Sequence, residues 1–173
     1  MSLFDMTGKV VIITGSSRGI GKAIAEEMAV HGAKVVISSR KADACEAVAD
    51  AINAKHGAGT AIAIAANISS KESLQNLVDE TRRAFGKIDT LICNAASNPY
   101  YGPMAEIGDE AFNKILTNNI VANNWLISMV VPEMIERGEG SVTIISSIGG
   151  LKGSTTIGAY CISKAADMQL ARN

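Results

Sequence analysis

An open, doubly wound α/β fold built on a parallel sheet is the class this sequence predicts, on three observations. Short β-branched runs alternate with stretches of helical periodicity from the first ten residues onward. A glycine-rich turn separates the first run from the first helix. The 173 residues, 47% of them hydrophobic, carry no internal repeat, low-complexity tract or interdomain linker, so residues 1–173 read as a single domain able to bury a core. Strands that alternate with helices pair in parallel, because each crossover is right-handed in nearly all cases.

The elements follow in order. Residues 9–14 (KVVIIT) are β-branched and suit a strand buried on both faces. Beyond the turn, Ile20, Ile24 and Met28 recur at helical spacing and Gly32 ends the helix. Residues 33–38 (AKVVIS) make the second strand, and Ala44, Val48 and Ile52 mark a helix that closes near Gly57. Residues 60–65 (TAIAIA) are the third strand. The helix after it carries Leu74, Leu77, Val78, Thr81 and Phe85 on one face. The fourth strand is 87–93 (KIDTLIC), and the turn residues of 98–103 (NPYYGP) form a loop. Residues 110–137 are helical, expected in two pieces with Pro132 bending the second. Residues 141–146 (SVTIIS) are the fifth strand, and a last helix begins near Gly158.

Charge and composition narrow the function classes. Sixteen basic against seventeen acidic residues give a net charge of -1, which offers no general affinity for nucleic acid or acidic membranes. Cys45, Cys93 and Cys161 are odd in number, far apart and without Cys-x-x-Cys spacing, so they read as buried reduced thiols of a cytoplasmic protein. The N-terminus lacks a charged-then-apolar signal pattern. The longest uncharged stretch, 115–132, holds four asparagines and ends in Pro132, which argues against a membrane span. His31 and His56 have no Cys, Asp or Glu at metal-ligand spacing, so no metal is expected.

The turn at 14–21 (TGSSRGIG) has the spacing Gly-x-x-x-Gly-x-Gly at Gly15, Gly19 and Gly21. Glycines let the backbone turn tightly and approach a ligand, and the helix N-terminus behind them offers free N–H groups to a pyrophosphate. A tight loop with no ligand is the plain alternative; its place between strand and helix favours the Rossmann-like reading. Dinucleotide sites for NAD usually carry an acid at the end of the second strand. Here Ser38, Ser39, Arg40 and Lys41 stand there instead. Arg40 offers a planar fork to a ribose phosphate, and Arg18 could reach the same group, so NADP(H) is favoured over NAD(H).

Tyr160 and Lys164 lie four apart in a stretch free of Gly and Pro, on one face of a helix and one turn apart. A cation beside a phenol makes the phenolate easier to form, so the pair could move protons. A packed aromatic and a solvated lysine are the bland reading of the pair by itself.

Taken together, TGSSRGIG, ICNAA at 92–96, the serines at 146–147 and YCISK at 160–164 resemble the short-chain dehydrogenase/reductase family in order and spacing along the whole chain. NAASNPYYGP and VVISSRK further resemble its NADPH-dependent carbonyl reductase branch. The resemblance implies a catalytic set. Tyr160 would be the acid that protonates a carbonyl oxygen, Lys164 would favour its ionised form and bind the nicotinamide ribose, and Ser147 rather than Ser146 would hydrogen-bond the substrate oxygen. Asn119, with Asn118 as the neighbouring alternative, would hold a proton-relaying water. It also implies cofactor contacts from Gly15, Ser17, Arg18, Gly19, Ile20, Gly21, Ser39, Arg40, Asn67 and Asn94, together with Tyr160 and Lys164. Three positions depart from the family pattern: Ala96 and Ala122 replace glycines, and Asn67 stands where an aspartate is common.

Family members continue past the Tyr/Lys helix with further strands and a substrate-covering segment, so the resemblance implies a C-terminally incomplete sheet lacking the substrate-side portion. Two functions stay open at this point: an NADP(H)-dependent oxidoreductase acting on a small carbonyl or alcohol, or a cofactor-binding or structural fragment of such an enzyme with little turnover. In the resembled family subunits pair through the two long helices, here 123–137 and 158–173, so the resemblance implies a homo-oligomer; Trp125, Met129, Val130, Met134, Ala165 and Met168 would leave apolar surface partly uncovered in a lone domain. Residues 141–146 would form an edge strand, apolar on both faces.

Overall fold

The computed structural model describes residues 3–173. Five strands form one sheet in the order β3-β2-β1-β4-β5. They are β1 (Val10–Thr14), β2 (Lys34–Ser38), β3 (Ala61–Ala63), β4 (Thr90–Cys93) and β5 (Ser141–Ile144), all paired in parallel. Six α-helices connect and cover them: α1 (Gly19–Val30), α2 (Ala42–His56), α3 (Lys71–Phe85), α4 (Asp109–Leu116), α5 (Ala122–Arg137) and α6 (Gly158–Arg172).

The period-two alternation of strand side chains divides the core. Val11, Ile13, Val35 and Ile37 point to one face, where Ala25 and Ala29 of α1 and Val48 and Ile52 of α2 cover them. Ile12, Val36 and Leu91 point to the other, against Leu74 and Leu77 of α3 and Leu126 and Val130 of α5. Ile12 sits opposite Val36 on one side and Leu91 on the other, so β1 is the middle of the sheet and is buried throughout.

Several expectations are corrected. β3 keeps only three residues, although Ile64 N still donates to Ile37 O at 3.0 Å past its end. The two pieces foreseen in 110–137 are joined without a break by a π-helical turn, Thr117–Val121, and α5 runs through Pro132 to Arg137. β5 is an edge strand, as foreseen, but it is not apolar on both faces: Ser141 and Thr143 are exposed, and only Val142 and Ile144 pack inward. Val130 and Met134 do not form an uncovered surface, because they are 0% and 6% exposed in the core, with Trp125 and Met129 packed against the same cluster. The exposed large apolar residues of α5 and α6 are instead Ile135 and Ile162. All three cysteines are buried and unpaired. Among the described residues, no helix is long and apolar enough to cross a membrane.

Candidate active site

The strand order reverses between β1 and β4, and in such sheets ligands bind beyond the carboxyl ends of the strands at that point. The glycine turn follows β1 there. Gly15 and Gly19 have φ of 67° and 58°, which side chains rarely adopt. A Cβ at Gly21 would lie 2.5 Å from Gly15 O and 2.6 Å from Asn94 Nδ2, so only glycine fits beneath the turn. A Cβ at Gly19 would meet nothing within 4 Å, which leaves that backbone open to a ligand. Arg18 precedes α1 without any side-chain cap, so the N–H groups of the first turn are free of one. Ser17 is half-buried and Ile20 is exposed beside them. These residues fit a pyrophosphate.

Two residues that sequence reasoning missed brace this turn. Ser16 is 0% exposed; its hydroxyl donates to Ile13 O at 2.7 Å and accepts from Ser38 N at 2.8 Å, pinning the end of β1 to β2. Thr14 Oγ1 accepts from the backbone N–H groups of Asn94 and Ala95, each at 3.0 Å, pinning it to β4. Asn94 acts from below: its Nδ2 donates to Thr14 O at 2.9 Å and to Gly15 O at 3.2 Å. Both amide hydrogens are thus engaged by the turn, and Oδ1 alone is left to face a ligand.

At the end of β2, Ser39 is half-buried with Oγ 3.1 Å from Cys45 Sγ, while Arg40 is exposed. Neither the Arg40 nor the Arg18 guanidinium has an ion-pair or hydrogen-bond partner among the described residues. Asn67 is exposed and its Oδ1 accepts from Ser69 N at 3.1 Å, which leaves the amide N–H groups free.

The predicted proton chemistry gathers where α6 passes the ends of β4 and β5. Tyr160 is half-buried and its hydroxyl has no partner among the described residues. Lys164 Nζ lies 5.8 Å from the centroid of the Tyr160 ring, within cation–π range. The ammonium is buried, donating to Ile145 O and to Asp167 Oδ2, both at 2.8 Å. Ser146 donates its hydroxyl to Lys164 O at 2.9 Å, so it is occupied. Ser147 Oγ accepts from Gly149 N at 3.0 Å, and its hydroxyl hydrogen stays free.

Asn119 lies in the π-helical turn, 0% exposed, with its amide saturated: Oδ1 accepts from Ser97 N at 2.7 Å, and Nδ2 donates to Ser97 O and Ser163 Oγ, both at 3.0 Å. Its side chain therefore ties the loop after β4 to α6. Any water it holds would rest on its backbone carbonyl, which already accepts from Asn123 Nδ2 at 2.7 Å. Asn118 instead accepts from the Ser69 hydroxyl and donates to Ser97 Oγ.

Asn123 and Asp167 were not anticipated. Asp167 is 1% exposed, and its two oxygens accept from Lys164 and from Asn123 Nδ2, the latter at 3.0 Å. The sequence did hold a signal: Asn119 and Asn123 at i,i+4, and Lys164 and Asp167 at i,i+3, are polar pairs on otherwise apolar helix faces. Nearby, Cys93 is pushed up to about 12, first by burial and then by the charge of Asp167, with Lys164 opposing. It remains a neutral thiol.

Over residues 9–173 the sequence matches the family described as short chain dehydrogenase. The chain belongs to that family. The rat protein "Dehydrogenase/reductase SDR family member 4" is 37% identical over 169 residues, which are 97% of this chain and 60% of the rat protein. The chain spans about 60% of the length of such curated relatives. A short-chain type dehydrogenase/reductase from Mycobacterium marinum superposes with a TM-score of 0.90 at 30% identity, over 97% of this chain and 66% of that one. A 7α-hydroxysteroid dehydrogenase solved with NADH and 7-oxo glycochenodeoxycholic acid gives 0.90 at 34% identity, over 96% and 64%.

For a short-chain dehydrogenase, two of the departures prove mild in packing terms. Ala96 is exposed, so its methyl presses on no neighbouring core. Ala122 is 1% exposed and packs with the α3 side of the core, where a methyl adds apolar contact.

Proposed function

We propose that the protein is an NADP(H)-dependent oxidoreductase that interconverts a small carbonyl compound and its alcohol, as in the carbonyl reductase branch it resembles. The observation that carries this reading is the convergence, beyond the carboxyl ends of β1, β4 and β5, of an open glycine turn, a free Ser147 hydroxyl hydrogen and an unpartnered Tyr160 phenol beside Lys164. A bound nicotinamide would supply or accept the hydride. Ser147 donates a hydrogen bond to the substrate oxygen and orients it toward the phenol. Tyr160 gives that oxygen its proton in reduction and takes it back in oxidation. Lys164 stabilises the phenolate left behind and offers its remaining N–H to the cofactor ribose.

Arg40 and Arg18, exposed and unpaired, and the absence of an acid after β2 support the preference for a phosphorylated ribose. The two core clusters against one sheet support reading residues 1–173 as a single dinucleotide-binding and catalytic unit. A homo-oligomer in the cytoplasm completes the proposal; the exposed Ile135 and Ile162 give it a smaller apolar footing than the sequence suggested.

The test is cofactor oxidation with a panel of aldehydes and ketones, using NADPH and NADH in parallel. Turnover with NADPH and little with NADH is expected. Turnover with NADH at equal efficiency would overturn the cofactor assignment. Tight NADPH binding with no turnover on any carbonyl would favour the cofactor-binding alternative.

A further inference from the structure

A lysine with a carboxylate three residues along a helix is ordinary at a surface. Here both groups are out of water: their side chains are 3% and 0% exposed. Burying two charges is expensive and rarely improves stability over a packed apolar pair, so the arrangement calls for another account. The chain of contacts gives one. Asn123 reaches Asp167 Oδ1 with one amide hydrogen and Asn119 O with the other, fixing the carboxylate to the start of α5. Asp167 Oδ2 and Ile145 O then hold two of the three hydrogens of the ammonium. One hydrogen remains.

We propose that Asp167, braced by Asn123, is a positioning residue for Lys164: its carboxylate supplies the counter-charge of the buried ammonium and aims its last N–H at the cofactor side. The proposal rests on the reading of Lys164 as the ribose- and phenol-facing cation. Without the carboxylate, a lysine in this place has no counter-charge, and burial favours the neutral amine, which neither holds a ribose hydroxyl as firmly nor stabilises a phenolate. The groups that face it are few. Tyr160 and Asp167 come from α6 and Cys93 from β4, while the π-helical turn and α5 offer only the neutral Asn119 and Asn123. Cys93, a neutral thiol up to about 12, cannot replace the missing charge.

The experiment is a fluorescence titration of NADPH binding between about pH 6.5 and pH 9 on the wild type, Asp167→Asn, Asp167→Glu and Lys164→Met. In Asp167→Asn, which keeps the shape and removes the charge, Kd should rise about tenfold more than in the wild type across that range, as a charged hydrogen bond weakens. Turnover should fall over the same range. Asp167→Glu restores the charge and should return the wild-type pH profile. Lys164→Met should bind weakly at every pH. An Asp167→Asn profile parallel to the wild type, with Lys164→Met weakened, overturns this inference alone. Wild-type affinity in Lys164→Met overturns the assignment of Lys164 beneath it. Should Asp167→Asn fail to fold, Asn123→Ala carries the test: the same pH-dependent loss, smaller, is expected, and a flat profile overturns the proposal.

Discussion

The two ends of the sheet each carry a buried carboxylate paired with a cation, and they solve the problem differently. At the amino-terminal end, Asp89 accepts from Val10 N at 2.8 Å and pairs with Lys87 at 3.0 Å, while Arg137 lies 3.7 Å away and donates to Ile88 O. Lys87 and Arg137 keep 39% and 31% of their side chains exposed, so the cations stay hydrated and only the acid is buried. Glu133 extends this half-wet network to Arg82 and Arg137. At the carboxyl-terminal end, acid and cation are both dry, an unpartnered phenol lies beside the cation, and the open turn follows β1 on the same edge of the sheet. The first arrangement locks the start of the central strand. The second, on the function proposed above, would hold a charge ready for a ligand, and that contrast sets a stabilising end of the sheet against a proposed functional one.

Substitutions at the two ends should therefore separate fold from function. The largest effect is expected from Tyr160→Phe, which keeps the ring and removes the proton: turnover should fall by about 10²–10⁴-fold while NADPH binding persists, read from initial rates and fluorescence titration. Substantial retained reduction would break the mechanism. At the opposite end, Asp89→Ala strands the Val10 N–H and two cations. Urea denaturation should show a loss of about 2 kcal/mol with NADPH affinity unchanged. If affinity fell with stability, the two ends would not be independent.

A cut within the carboxyl-terminal end sharpens the picture. Arg40→Asp should weaken NADPH by about 1–3 kcal/mol through loss of a charge-assisted contact, and leave NADH binding nearly unchanged. Equal weakening of both cofactors would place Arg40 elsewhere than on the ribose phosphate. The smallest effects come from two glycines in matched conformations, Gly19 with φ 58° and Gly138 with φ 68°, both with open space where a Cβ would go. Each change to alanine should cost about 1 kcal/mol of stability. Gly19→Ala should also weaken NADPH, because its open face is the one a phosphate would approach. Gly138→Ala, at the C-terminus of α5, should not.

Local pattern made most of the scaffold legible. The strand runs at 9–14 and 33–38 fall on β1 and β2 because a buried parallel strand needs continuous β-branched side chains, and that requirement is written in consecutive residues. The glycine turn was legible for the same reason, since φ near 60° is a demand on single residues. The apolar stripe of α5 was visible as a stripe, but whether Val130 and Met134 face the core or another subunit is not a property of the helix that carries them. The strand ends were overdrawn at β3, β4 and β5, where single hydrogen bonds such as Ile64 N to Ile37 O and Ile145 N to Cys93 O carry on past the last paired residue.

By itself, then, the sequence determined the alternation of elements, the glycine turn and the Tyr160–Lys164 spacing, all of which depend on residues within a few positions of one another; the parallel sheet followed from that alternation through the handedness of its crossovers. Only the tertiary structure decided what surrounds the lysine. Asn119 meets Ser163, and Asn123 meets Asp167, across 44 residues of chain. Nothing local marks those residues as neighbours. A hydrogen bond between two helices is fixed by how each packs on the sheet, and the energy of a buried charge depends on every group that excludes water from it.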